Sequence, residues 1–357
     1  FYQSLVGDAP YSSFTVALVE DDLPGGHSPG YFAILKQPVT ESPYAWRNDP
    51  AAFESYPDYF IAHELAHQWW GQAVGWRNYH EQWLSEGFSQ YFAALYAEHQ
   101  LGNEVFAEVM RKMRKSALDE SDQGPIALGY RLGHIRGESR VFRALVYNKS
   151  AIVLHMLRRL VGDDAFFRGV RRFYLASRFQ KVGTEEFRAA IEAETGRSFE
   201  RFFDRWIRGS RLPRMTFSYR VDGPEVVLHA EQLGEVFDFP LTVTLRYADR
   251  KSTDIVFPIT DRAVELRVPL TGALRRAEIS NLMIAGDVAW KDEGVLELGG
   301  ELPDVLLEPL AWIGQRDSGA CGRRGLSDRP GNRPLVGHTD DEAVFAGEIR
   351  HGLRRSA

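Results

Sequence analysis

The sequence is nearly devoid of cysteine: Cys321 stands alone among 357 residues. A single thiol excludes a disulfide framework within the chain and any zinc module built from several thiolates. A metal site here has to be made from histidines and carboxylates. Long apolar runs are absent too, and no stretch reaches the ~18 residues that a membrane-spanning helix requires. There is no surplus of basic charge. The 43 Lys and Arg are outnumbered by 49 Asp and Glu, for a net charge of −6, which argues against a nucleic-acid-binding surface. An initiator Met is missing as well. The chain opens at Phe1 and reads as a fragment or processed form, so a signal peptide cannot be assessed and localisation and oligomeric state stay open.

What is present is ordinary globular composition, 44% hydrophobic and 26% charged, in a length that suits two or three domains. Up to residue 40 the pattern suggests short strands, Phe14 to Val19 and Tyr31 to Leu35, broken at Pro24-Gly25-Gly26. From Tyr56 to Ser210 apolar residues recur at three- and four-residue spacing, as in Val153, Met156, Leu157 and Leu160, and predict helices. Near Pro213 the period changes to two. Met215 to Val221 alternates strictly, Asp222-Gly223 turns, and Glu225 to Ala230 returns. Further strands are expected at 241–247, 254–259, 263–268 and 277–279, which together predict a small β-sandwich. Gln315 to Ala357 holds no lysine and no sustained period. It is expected to be part of a disordered tail, although an out-of-frame translation would have the same composition.

The stretch that carries chemistry is His63-Glu64-Leu65-Ala66-His67. Residues i and i+4 share a helix face, so the two imidazoles can grip one metal ion, while Glu64 is left over as a base. The flanks, Tyr59-Phe60-Ile61-Ala62 and Gln68-Trp69-Trp70, suit a buried helix ended near Gly71. A catalytic zinc needs a third protein ligand and one open position. Glu86, nineteen residues after His67, opens a second helical pattern through Tyr91, Phe92 and Leu95. Two adjacent helices joined across 75–81 would bring it opposite the histidines. A surface helix with two solvated histidines explains the apolar and aromatic setting poorly.

His63 to Phe88 resembles the zinc core of the gluzincin metallopeptidases, specifically the M1 family of zinc aminopeptidases. Their pattern is H-E-x-x-H, eighteen residues, then E, and residues 68–85 supply the eighteen. Tyr147-Asn148-Lys149-Ser150 is similar to the family's Y-E-K-G. The resemblance implies an α+β fold: a thermolysin-like catalytic domain over 1–211 and a β-sandwich over 212–298, leaving 299–357 as the tail. It implies one Zn2+ per chain on His63, His67 and Glu86, with Glu64 as the base and Tyr147 as donor to the oxyanion. It also suggests an acidic residue near the ligands, a place Glu81 would fill if it is not simply a solvated loop carboxylate.

One segment departs from the family. Where members carry G-x-M-E-N, whose glutamate holds the substrate's free amine, this chain reads Gly25-Gly26-His27-Ser28-Pro29-Gly30-Tyr31. The backbone of Gly25 and Gly26 can still pair with an extended peptide or protein substrate. Glu20, Asp21 and Asp22 are the nearby acids that would have to replace the missing one. Three functions therefore remain open: an aminopeptidase-like hydrolase, a metallopeptidase with endopeptidase or altered terminus specificity, and a silent zinc-stabilised interaction module. His27, His80, His134 and His155 are expected to be structural or surface residues. The Asn148-Lys149-Ser150 sequon is expected to be unused.

Overall fold

A computed structural model describes residues 1–20, 26–36, 56, 58–281, 288–291 and 295–298. Gly25, Asp21, Asp22 and the expected tail over 299–357 lie outside the described residues.

The chain begins with a short helix, α1 (Tyr2–Val6), and two parallel strands, β1 (Thr15–Val19) and β2 (Phe32–Lys36), paired Thr15 to Phe32 through Val19 to Lys36. A helical region follows: α2 (Tyr59–Ala66), α3 (Trp83–Leu101), α4 (Asn103–Asp119), α5 (Ser139–Phe142), α6 (Ser150–Val161), α7 (Asp163–Ser177), α8 (Thr184–Thr195) and α9 (Glu200–Phe203). Two three-residue strands, β3 (Val74–Trp76) and β4 (Gln180–Val182), interrupt it and pair in parallel. Periodicity could not reveal them, because three residues are too few to set a period of two against one of 3.6. The span 75–81, expected as a plain loop, holds most of β3 and one 3₁₀ turn at Tyr79–Glu81.

Helix α3 is buried almost all round, with Trp83, Phe88, Tyr91 and Phe92 each at most 1% exposed. It packs against α2, α4 and α6 and is the centre about which the helices gather. Close approach needs Gly87, since a Cβ there would sit 2.3 Å from the Ser150 Cβ on α6. Three single π-helical turns, Arg131–Ile135, Arg143–Lys149 and Asp204–Arg208, interrupt the α-helical run. Such wide turns recur at functional sites, and the second of them carries Tyr147.

Among the described residues after Pro213 there are eight strands, the six expected and two more: β5 (Arg214–Asp222), β6 (Glu225–Leu233), β7 (Phe239–Tyr247), β8 (Ser252–Ile259), β9 (Ala263–Pro269), β10 (Leu274–Asn281), β11 (Val288–Lys291) and β12 (Val295–Leu298). They form a five-stranded sheet in the order β11-β12-β5-β6-β9 and a three-stranded one in the order β10-β7-β8, and every pairing is antiparallel. The turn falls one residue later than expected, at Gly223-Pro224, and β5 and β6 pair from Arg214–Leu233 down to Asp222–Glu225. One hydrophobic core runs through the helices and into both sheets, from Tyr2 to Ala277. The junction is specific. The Trp206 indole donates to the Asp238 carbonyl at 2.8 Å, and Arg201 forms a fork on the Asp238 carboxylate.

Candidate metal centre

Helix α2 has no glycine, proline or β-branched run to interrupt it; its buried face carries Tyr59, Phe60, Ala62, His63 and Ala66. Regular helix ends at Ala66, but His67 keeps helical angles (φ −58°, ψ −21°), so it still lies one turn below His63. The turn that follows requires Gly71. Its φ is +109°, and a Cβ there would come within 2.3 Å of the Ser85 hydroxyl on α3. Pinching α2 against α3 in this way delivers Glu86 to the histidines.

The two Nε2 atoms lie 3.1 Å apart. Glu86 Oε2 sits 3.4 Å from the Nε2 of His63 and 3.2 Å from that of His67. His67 Nδ1 lies 3.0 Å from the Trp70 carbonyl, with the Ser85 and Ser89 hydroxyls at 3.2 and 3.0 Å. A carbonyl only accepts, so Nδ1 donates and a neutral His67 presents the Nε2 lone pair to the site. Glu86 Oε2 is buried without a hydrogen bond. Two imidazole nitrogens and a carboxylate oxygen thus converge on one point, an arrangement that suits a bound cation. The same demand appears in proton affinity. Burial acts to lower the His67 imidazole, but the Glu86 carboxylate outweighs it and raises it to about 9. Burial acts to raise the Glu86 carboxyl, and the histidines more than reverse it, holding it well below the usual carboxylate range. Among the described residues these three form the group able to hold a metal ion, and two imidazoles with one carboxylate suit zinc.

The site opens into a cavity of about 80 Å³ lined by Gly26, Tyr59, Phe60, His63, Glu64, His67, Glu86, Gln90, Arg143 and Tyr147. Gly26, His63, Glu64, His67, Glu86 and Tyr147, all singled out from sequence, therefore share one cavity, whereas Glu81 does not line it. Tyr147 stacks on the His63 ring, centroids 5.8 Å apart and planes at 10°. Burial, and then the Glu86 charge, push its hydroxyl well above the usual phenol range, so it stays protonated as a donor. Glu64 is 5% exposed and accepts a short hydrogen bond from the Ser28 hydroxyl. Gly26 touches it from the other side; a Cβ would lie 2.1 Å from Glu64 Oε1.

Sequence reasoning missed Arg143, whose guanidinium lies 5.5 Å from the Tyr147 ring centroid. Its position four residues before Tyr147, about one helical turn away, was the available signal. The expectation for Glu81 is corrected. Its carboxylate accepts the Thr184 N–H and hydroxyl at 2.8 and 2.5 Å, and so caps α8 rather than a ligand histidine. His155 is a core residue, taking the Tyr91 hydroxyl at 3.0 Å, and burial lowers it to about 3. Asn148 is 1% exposed and bonded to Gln90 and Ser116, which rules out its use as a glycan acceptor in the folded protein. Glu20 is exposed.

Residues 52–206 match the model of the Peptidase family M1 domain. Similar proteins include aminopeptidase M1 of Arabidopsis thaliana, 28% identical over 158 residues, 43% of this chain and 18% of that protein. Aminopeptidase N of Lactococcus lactis is 27% identical over 171 residues, 46% of this chain and 20% of its own length. In fold the chain is similar to the crystal structure of Legionella pneumophila aminopeptidase A in complex with aspartic acid. That match has a TM-score of 0.54 at 20% identity, and covers 73% of this chain and 30% of the other. The chain thus spans about a fifth of the length of these curated relatives. Among the described residues no helix is long and apolar enough to cross a membrane.

Proposed function

We propose that this chain hydrolyses peptide bonds by zinc-dependent, aminopeptidase-like chemistry, with one Zn2+ per chain held by His63, His67 and Glu86. The observation that carries the proposal is the convergence of those ligands with Glu64 and Tyr147 around one cavity. A zinc ion held there would supply Lewis-acid chemistry, bringing the pKa of water to about 7 and polarising a carbonyl. Glu64 takes the proton that water gives up and returns it to the leaving amine. The Tyr147 hydroxyl donates to the carbonyl oxygen as negative charge builds on it. Gly26, without a side chain and against Glu64, lets a peptide backbone approach the base. A silent interaction module has no use for Glu64 and Tyr147 beside a complete ligand set. In this reading residues 1–211 are the thermolysin-like catalytic domain. The facing apolar sides of the two sheets, Met215, Phe217, Val226 and Leu228 on one and Leu241, Val243 and Phe257 on the other, favour a β-sandwich over 212–298.

A second reading, hydrolysis that does not depend on a free amino terminus, is favoured by Ser28. It occupies the segment where the family's amine-binding glutamate is expected, and its hydroxyl is engaged on Glu64. The test is hydrolysis of one peptide in free and N-acetylated form, with and without a zinc chelator. Chelator-sensitive cleavage establishes the metallopeptidase. A free-amine preference of tenfold or more selects the aminopeptidase, and rates within a few-fold select the second reading. Zinc-loaded protein that cleaves neither peptide refutes both.

A further inference from the structure

The base of the proposed reaction is held from outside its own helix. Each oxygen of the Glu64 carboxylate meets the segment 26–28 differently. Oε2 accepts the Ser28 hydroxyl, while Oε1 lies against the Gly26 Cα with no room for a side chain. Ser28 is 8% exposed and has no freedom to swing into solvent.

The segment is fixed in turn by the end of the helix it covers. Gln72 donates to the Ser28 carbonyl at 2.8 Å, Gln68 donates to the Pro29 carbonyl at 3.2 Å, and Gln68 accepts the Tyr31 N–H at 2.8 Å. The hairpin is closed by a reciprocal pair between His27 and Ile34 at 3.0 and 2.8 Å. Tyr31 holds a left-handed φ of 71° at its corner. A non-glycine residue is rarely found there unless its surroundings impose it. The height of Ser28 above Glu64 is therefore set by two glutamines that follow His67 on the same stretch of chain.

We propose that Ser28 is a positioning residue that selects which oxygen of Glu64 acts. With Oε2 engaged, Oε1 is the oxygen that takes the proton. It is also the one beside the Gly26 backbone, where an extended substrate would run. The bookkeeping of the step is simple. The water proton goes to Oε1, the hydroxide adds to the carbonyl carbon, and the proton passes to the amine nitrogen as the C–N bond breaks. Without Ser28 the carboxylate is free to rotate and present either oxygen, and attack geometry is lost while substrate contacts are kept.

This inference rests on the peptidase reading, and the experiment separates the two. Wild-type, Ser28→Ala and Ser28→Thr proteins are compared for zinc content, Tm, kcat and KM on one peptide. Ser28→Ala is expected to lower kcat by about ten- to a hundredfold, the range for losing a hydrogen bond to a charged group. KM should stay within about twofold, with zinc and Tm as in the wild type. Ser28→Thr keeps the hydroxyl and should recover most of the rate. An active wild type with an unchanged Ser28→Ala kcat overturns this inference alone. So does a loss matched by zinc, Tm or KM, or a Thr variant as slow as the Ala one. A zinc-loaded wild type that cleaves nothing removes the peptidase reading and this inference with it.

Discussion

At the scale of single residues, the site as proposed separates into groups that would hold the metal and groups that would act beside it. His63→Ala or His67→Ala should lose zinc and activity together, whereas Glu64→Gln should keep zinc, measured by elemental analysis, and lose at least 10²-fold in kcat. Tyr147→Phe should lower kcat by about 10²–10³ with zinc retained, the scale for losing one oxyanion donor. The raised His67 imidazole adds a pH dependence with a definite sign. In the zinc-free protein its stabilisation is present in full below the unfolded value of 6.5 and fades as pH rises through about 9. Thermal scans of zinc-free protein should therefore show Tm falling over that window. Zinc affinity, measured by chelator competition, should rise over it, because the metal has to displace the proton. The convergence of His63, His67 and Glu86 was legible in the sequence, since two histidines four apart and a helix-opening glutamate are local signals. The partners of Ser28 and Glu81 were not. Ser28 meets Glu64 across 36 residues and Glu81 meets Thr184 across 103, and no local pattern encodes such pairings.

At the scale of elements, the strands after Pro213 were readable because apolar and polar residues alternate over seven residues in β5 and turn signals separate the runs rich in β-formers that follow. The short pair β3 and β4 and the π-helical turns were not, because their geometry is imposed by packing rather than by period. The turn Arg143–Lys149 also carries an internal cost. Lys149 is fully buried at its end, its Nζ makes no hydrogen bond, and burial lowers it to about 8. The folded state thus disfavours the charged amine, a penalty present in full below about pH 8 and relieved as pH rises toward the unfolded value of 10.5. Lys149→Met should remove it. A gain on the order of 3 kcal/mol at neutral pH is expected from a displacement of this size, read as a higher urea midpoint with unchanged zinc content.

At the scale of the whole molecule, the helices and the two sheets share one core, and residue 211 is a poor place to cut. Truncation there would strip Phe237, Phe239 and Leu241 from that core and Asp238 from Trp206 and Arg201. The shortened chain should be less soluble and lose its cooperative melt, as circular dichroism would show, even though every metal ligand is retained. A different constraint follows from the stretch His63 to Gln72. It bears two of the proposed metal ligands, the proposed base, and the two glutamines that hold the hairpin over that base. A helix turns by about 100° per residue. One residue inserted between Glu64 and His67 would leave the first ligand in place and swing the second, together with both glutamines, to another side. Substitutions in this decapeptide can be graded in effect, but a change in its length cannot. Among natural variants of the chain, insertions and deletions should fall everywhere except here.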